Sequence, residues 1–131
     1  MAQFPRSAWM SNRFRRGAAV EGTAGADVDP RIRGTDTVRV FAKHRSSAFS
    51  NPELAPYLRA HGVSKVYVLG VFAEGCIRAT AAEARQLGFD VVVPLDAIGT
   101  NGAFKRRFAQ WAMRRAGVAL VPSLPLPAKP A

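Results

Sequence analysis

The sequence predicts an α/β fold, a parallel sheet with helices on its faces. Three observations predict it. Strand-like and helix-like segments alternate from residue 37 to residue 121. The links between them are short, so successive strands join through helices, as in parallel sheets with right-handed crossovers. Two of the strand segments, residues 65–70 (KVYVLG) and 90–95 (DVVVPL), are nearly continuous apolar runs. That is the pattern of strands covered on both faces.

Each element follows from its own residues. Residues 1–36 have little periodicity and are punctuated by Gly22, Gly25, Pro30 and Gly34, so they read as irregular, with a short helix over 9–16. Residues 37–43 (TVRVFAK) alternate and are rich in β-branched and aromatic side chains, which predicts a strand ending at Lys43. Ser50-Asn51-Pro52-Glu53 has the form of a capping box with proline in the first turn. Leu54, Tyr57 and Leu58 then share a helix face until Gly62 stops it.

After the 65–70 strand, the alanine-rich residues 76–87 carry Ile77, Thr80, Ala81 and Ala84 at helical spacing, and Gly88 ends the helix. Pro94 cannot donate to a ladder, so it belongs near the end of the 90–95 strand or at an edge. Residues 101–116 predict a helix whose buried stripe is Phe104, Phe108, Trp111 and Ala112. Gly117 closes it, and residues 118–121 form a last short strand. Four prolines in residues 122–131 predict an extended tail. The organisation is therefore an irregular segment over 1–36, one domain over 37–122 and a Pro-rich tail over 123–131.

Composition bounds the function. The chain has 131 residues, enough for one domain. At 48% hydrophobic and 21% charged it is globular in composition and not disordered. Nineteen basic residues against nine acidic give +10, which favours anionic partners. The positive charge is spread between the two ends of the chain and reads as a solvated basic surface. Nucleic-acid binding through the basic helix (Lys105 to Arg115) is set aside, because the sheet needs that helix's aromatic stripe.

Cys76 is the only cysteine, so no intrachain disulfide forms, and a lone thiol suits a reducing compartment, the cytoplasm. No apolar run is long enough to cross a bilayer, and no signal-peptide core follows Met1. The first 20 residues hold four arginines and no acid, a composition shared with mitochondrial presequences and too loose to assign the protein to that compartment.

In an open parallel sheet, ligands bind beyond the carboxyl ends of the strands. Lys43 and the turn over residues 70–76 (GVFAEGC) fall there. Cys76 lies at or beside the start of the next helix, where unpaired N–H groups and the helix dipole stabilise a thiolate. A thiolate is the nucleophilic form of cysteine, and the same N–H groups can hold an oxyanion. A small cysteine packing a helix start is the competing reading, and the residues alone leave both open. Lys43 supplies charge to such a site or is an exposed lysine at a strand end. Asp96 ends its strand at the same edge and either lines the cleft or caps the next turn. His44 and His61 read as surface residues with no metal-ligand spacing. No phosphate loop or dinucleotide fingerprint is present, so no cofactor is expected.

The run KHRSSAF from Lys43, the helix after Ser50, the turn GVFAEGCIRATAAEA and the strand GFDVVVPLDA together resemble the isochorismatase-like cysteine hydrolases, with GTAGADVDPRI similar to the family's loop before the lysine strand. The resemblance covers about residues 20–123. It implies a three-layer α/β/α, Rossmann-like architecture. It implies a nucleophilic Cys76 and a catalytic Lys43, and a cis peptide at Val71–Phe72. It also implies an oxyanion hole of Phe72 and Cys76 backbone N–H groups, with Phe49 and Phe72 as pocket walls. The implied reaction is hydrolysis of a C–N amide bond in a small molecule; metal-dependent members of the family keep their ligands in a segment that has no match here, and no metal site is expected among the residues present.

The family's first strand, which supplies a catalytic Asp, has no counterpart among residues 1–36. The resemblance therefore implies a truncated fold, impaired as an enzyme, with a gap or an exposed apolar strand edge. The alternative is a non-catalytic interaction protein, or a half-domain completed by a homo-oligomer or a complementing chain.

Overall fold

The computed structural model describes residues 39–124. The irregular segment 1–36, the helix expected over 9–16, the start of the 37–43 strand and the end of the Pro-rich tail lie outside the described residues. The described residues fall into two compact units, divided between Tyr57 and Leu58.

In the first unit the alternating segment does not form a strand over its described part. Residues 39–42 are irregular and Lys43 makes only a single bridge. The side chains are used for stacking instead. The Arg39 guanidinium lies 5.7 Å from the Phe41 ring centroid and 5.3 Å from that of Tyr57, and the two rings meet edge-to-face at 5.1 Å. The backbone is pinned by a side chain: Asn51 Nδ2 donates to the Ala42 carbonyl at 2.7 Å.

The helix start also shifts. Ser47 caps a short 3-10 turn, Ala48–Ser50, its Oγ accepting from the Phe49 N–H at 3.1 Å. The Ser50 hydroxyl donates to the Ser47 carbonyl at 2.7 Å, which ties it to the turn before the helix. Asn51 is the cap. Its Oδ1 accepts from the Glu53 N–H at 2.8 Å, ahead of α1 (Leu54–Ala60). Asparagine is as good a cap as serine, so the signal was right in kind and one residue out in position. Gly62, at φ +68°, ends the helix as expected.

The second unit holds the sheet. β1 (Lys65–Tyr67), β3 (Asp90–Pro94) and β5 (Ala119–Val121) pair in parallel with β3 in the middle. Val66 faces Val91 across one ladder and Val93 faces Leu120 across the other. The run over 65–70 is not one strand. The chain turns at Gly70, whose φ of +116° suits glycine alone. β2 (Gly70–Val71) then leaves the first sheet and pairs in parallel with β4 (Ile98–Gly99).

Nor is the run buried on both faces. Among the described residues β1 lies at the sheet edge, and Tyr67 is 43% and Leu69 51% exposed. Pro94 is the last paired residue of β3, where a missing N–H disturbs no further rung.

Two helices complete this unit. A wide helical turn over Ala73–Ile77 leads directly into α2 (Arg78–Gln86), and α3 (Ala103–Arg115) precedes β5. The core is built from Val91 and Val93 of the sheet, Phe89 just ahead of β3, Ile77, Ala81 and Ala84 of the first helical run, Ile98, Val118, and Ala109 and Met113 of α3. The α2 face is the one its spacing predicts. The α3 face is not. Phe104, Phe108 and Trp111 are 84%, 48% and 54% exposed, while Ala109 and Met113 are fully buried. The helix packs against the cysteine turn, α2 and β5. The places against them go to an alanine and an unbranched, flexible methionine, and the three aromatic rings stay outside.

Candidate active site

Cys76 lies inside the Ala73–Ile77 turn, three residues beyond its start, and is partly buried. The sequence placed the helix start at the cysteine; the helical backbone begins at Ala73. Phe72 is the extended residue before the turn, and its carbonyl accepts from the Gly75 N–H at 3.0 Å and the Ile77 N–H at 3.3 Å. Ala73 and Ile77 face the core and fix the turn from below. The Val71–Phe72 peptide is cis. Val71 and Phe72, five and four residues before the cysteine in the chain, are 61% and 44% exposed.

The strand behind the turn is held by a close approach. Gly99 of β4 lies opposite Val71. A Cβ on Gly99 would come within 2.5 Å of Val71 Cγ1, and valine is stiff about χ1, so only glycine lets the two strands pair at this spacing.

Glu74, which the sequence reading passed over, ties the turn to the residues ahead of α3. Its carboxylate accepts from the Thr100 hydroxyl at 2.9 Å and from the Asn101 N–H at 3.5 Å. Its own backbone N–H is the largest influence and holds the carboxyl below the ordinary range; desolvation opposes it, and the Thr100 hydroxyl, the Asn101 N–H and the Lys105 charge each lower it further. Arg78 Nε donates to the Glu74 carbonyl at 3.3 Å, closing the turn from the α2 side. An acid in the first turn of a helical run ahead of a threonine-asparagine loop is a signal the sequence carried. Only the fold shows that the two meet.

Lys43 and Phe49 belong to the first unit. Lys43 Nζ donates to the Arg45 carbonyl at 3.0 Å and the Ser46 carbonyl at 2.6 Å, so the ammonium organises its own loop. Phe49 is partly buried in the 3-10 turn. His44, His61 and Asp96 are exposed. Among the described residues no three His, Cys, Asp or Glu side chains group as a metal set, and no helix is long and apolar enough to cross a membrane.

The sequence profile of the Isochorismatase domain family matches residues 4–123. The chain belongs to the isochorismatase family. It is 43% identical over 60 residues to the maleamate amidohydrolase of Pseudomonas putida, a stretch covering 46% of this chain and 28% of that one. To the N-carbamoylsarcosine amidase of an Arthrobacter species it is 35% identical over 74 residues, covering 56% and 28%.

Among solved structures, an isochorismatase family protein from Desulfovibrio vulgaris superposes with a TM-score of 0.74 at 35% identity, over 81% of this chain and 56% of that one. The α/β fold with a parallel sheet and flanking helices is thus that of the isochorismatase-like hydrolases. The matched stretches span little more than a quarter of these two curated relatives.

Proposed function

We propose that this isochorismatase-family chain is the cysteine-bearing part of a hydrolase that cleaves a C–N amide bond in a small molecule. The observation that carries the reading is the position of Cys76. It sits in the opening turn of a helical run, four residues after an exposed Phe72, in a chain whose family match runs through it.

In this reading Cys76 Sγ attacks the amide carbonyl carbon. The C–S bond forms and the carbonyl oxygen takes up negative charge, held by the backbone N–H groups of Phe72 and Cys76. The C–N bond then breaks, and the amine leaves with a proton from an acid group. Water attacks the thioester, releasing the carboxylic acid and restoring the thiol. By the family resemblance Lys43 is a second catalytic residue, and Phe49 and Phe72 are pocket residues. The names of the relatives point to small amides and N-carbamoyl amines as substrates. The lone thiol fits the reducing cytoplasm.

The test is ammonia release from maleamate and N-carbamoylsarcosine by the 131-residue chain, with Cys76→Ser beside it, together with the iodoacetamide labelling rate of Cys76. Slow turnover that Cys76→Ser abolishes, and labelling faster than a free thiol at neutral pH, are the expected results. Labelling at the rate of free cysteine with no ammonia from either substrate overturns the reading.

One observation favours a second reading. β1 has a strand partner on one side only among the described residues, with Tyr67 and Leu69 exposed beside the open edge. Such an edge invites another strand. A half-domain completed by a second chain predicts a stable complex, and a monomer by sedimentation at micromolar concentration rules it out.

A further inference from the structure

The outward face of α3 is unusual in what it carries and in what it lacks. Phe104, Phe108 and Trp111 follow one another along it at four- and three-residue spacing, all substantially exposed. Three arginines, Arg107, Arg114 and Arg115, are exposed on the same helix, with Lys105 and Arg106 beside them. The helix has no acidic residue and no Leu, Ile or Val. Guanidinium groups and rings are interleaved: Arg115 lies 5.4 Å from the Trp111 ring centroid, and Arg78 lies 6.0 Å from that of Phe108. The inward face presents Ala109 and Met113, and among the described residues the core leaves these rings exposed.

We infer that this face binds single-stranded nucleic acid. Unpaired bases have π faces that stack on exposed aromatic rings whatever their sequence, while arginines neutralise the phosphates between them. The helical rise separates successive rings by about 6 Å and 4.5 Å along the axis, a spacing that successive bases of an extended strand can follow. The ground for setting nucleic acid aside was that the sheet needed the stripe, and the sheet does not use it.

Charge selects this occupant over the others. A second copy would bring an all-basic helix against an all-basic helix. An anionic membrane would attract the arginines, but interfacial helices carry a continuous apolar face. Here guanidiniums lie against the rings that would have to insert, and no aliphatic residue supplements them. The chain's +10 charge adds long-range attraction for a polyanion. The inference is independent of amide hydrolysis and of Cys76.

The experiment is fluorescence anisotropy of a labelled single-stranded oligonucleotide of about 12 nucleotides with the full chain, titrated at several salt concentrations. Saturable binding is expected, with Phe104→Ala and Trp111→Ala each weakening it roughly five- to hundredfold and Trp111→Phe restoring most of it. Arg107→Gln, Arg114→Gln and Arg115→Gln together should flatten the dependence of log affinity on log salt by about two. Phe104 is exposed enough that its removal leaves the fold intact, which circular dichroism checks.

Three outcomes overturn the proposal. One is that Phe104→Ala and Trp111→Ala bind like the parent, so that charge alone acts. The second is tighter capture by phosphatidylserine vesicles than by the oligonucleotide. The third is no oligonucleotide binding even at low salt.

Discussion

The α2 and α3 helices meet the same core in the same manner and face solvent in opposite manners. Inward, both present small or flexible side chains, Ala81 and Ala84 on one and Ala109 and Met113 on the other, all fully buried. Outward, α2 shows a mixed surface with Glu83 between Arg78 and Arg85. α3 shows three aromatic rings and only positive charge. The inward face is set by the width of the slot between neighbouring elements. The outward face is free of that demand, so an apolar outward face calls for a partner where a mixed one does not.

Mutations at these positions break or sharpen the contrast. The largest effect belongs to Met113→Ala, which empties a fully buried site. It should cost about 2–5 kcal/mol in urea unfolding. A loss below about 1 kcal/mol would mean that the slot collapses around the cavity and that size does not set the inward face. Next is Ala84→Leu, which overfills the α2 contact with the sheet and should cost about 1–3 kcal/mol. If leucine is tolerated there, close packing is not what selects alanine.

A smaller, pH-dependent effect belongs to Glu74, which joins the head of the α2 run to the residues before α3. Its carboxyl is held below the ordinary value of about 4.5. The stability it contributes is therefore fully present above that value and is lost as pH falls through the lowered one. Glu74→Gln should leave less acid-dependent stability between about pH 5 and pH 3 than the parent has, read from urea midpoints across that range. Identical midpoints at every pH would remove the tie. The smallest effect is Phe104→Ala. At 84% exposure it should change stability by no more than about 0.5 kcal/mol. A larger loss would show that the outward rings serve the fold after all.

The candidate site was legible unevenly, for physical reasons. Cys76 and the turn around it could be read because glycine, cysteine and an alanine run follow one another in the chain, and local order is enough to build a helix start. Lys43 is singled out by the resemblance, and the strand expected to end at it does not form over its described part. Alternation of apolar and polar residues over 37–43 satisfies a stacked cluster of Arg39, Phe41 and Tyr57 as well as a ladder. Glu74 was missed because its partners lie 26 and 27 residues away, and no local spacing encodes that meeting. β4 was missed because two residues leave no periodicity to read.

By itself the sequence determined the alternating α/β order, the stops at Gly62, Gly88 and Gly117, the inward phase of α2 and the place of the lone thiol. Each follows from propensities and periods that act within a few residues. Tertiary structure alone decided that the apolar run over 65–70 divides between two sheets at Gly70, and that α3 turns alanine and methionine inward. Hydrophobic periodicity reports which residues gain from burial, whereas the space that neighbouring elements leave decides which of them are buried. On α3 the buried places went to Ala109 and Met113, and the rings with the most to gain stayed exposed.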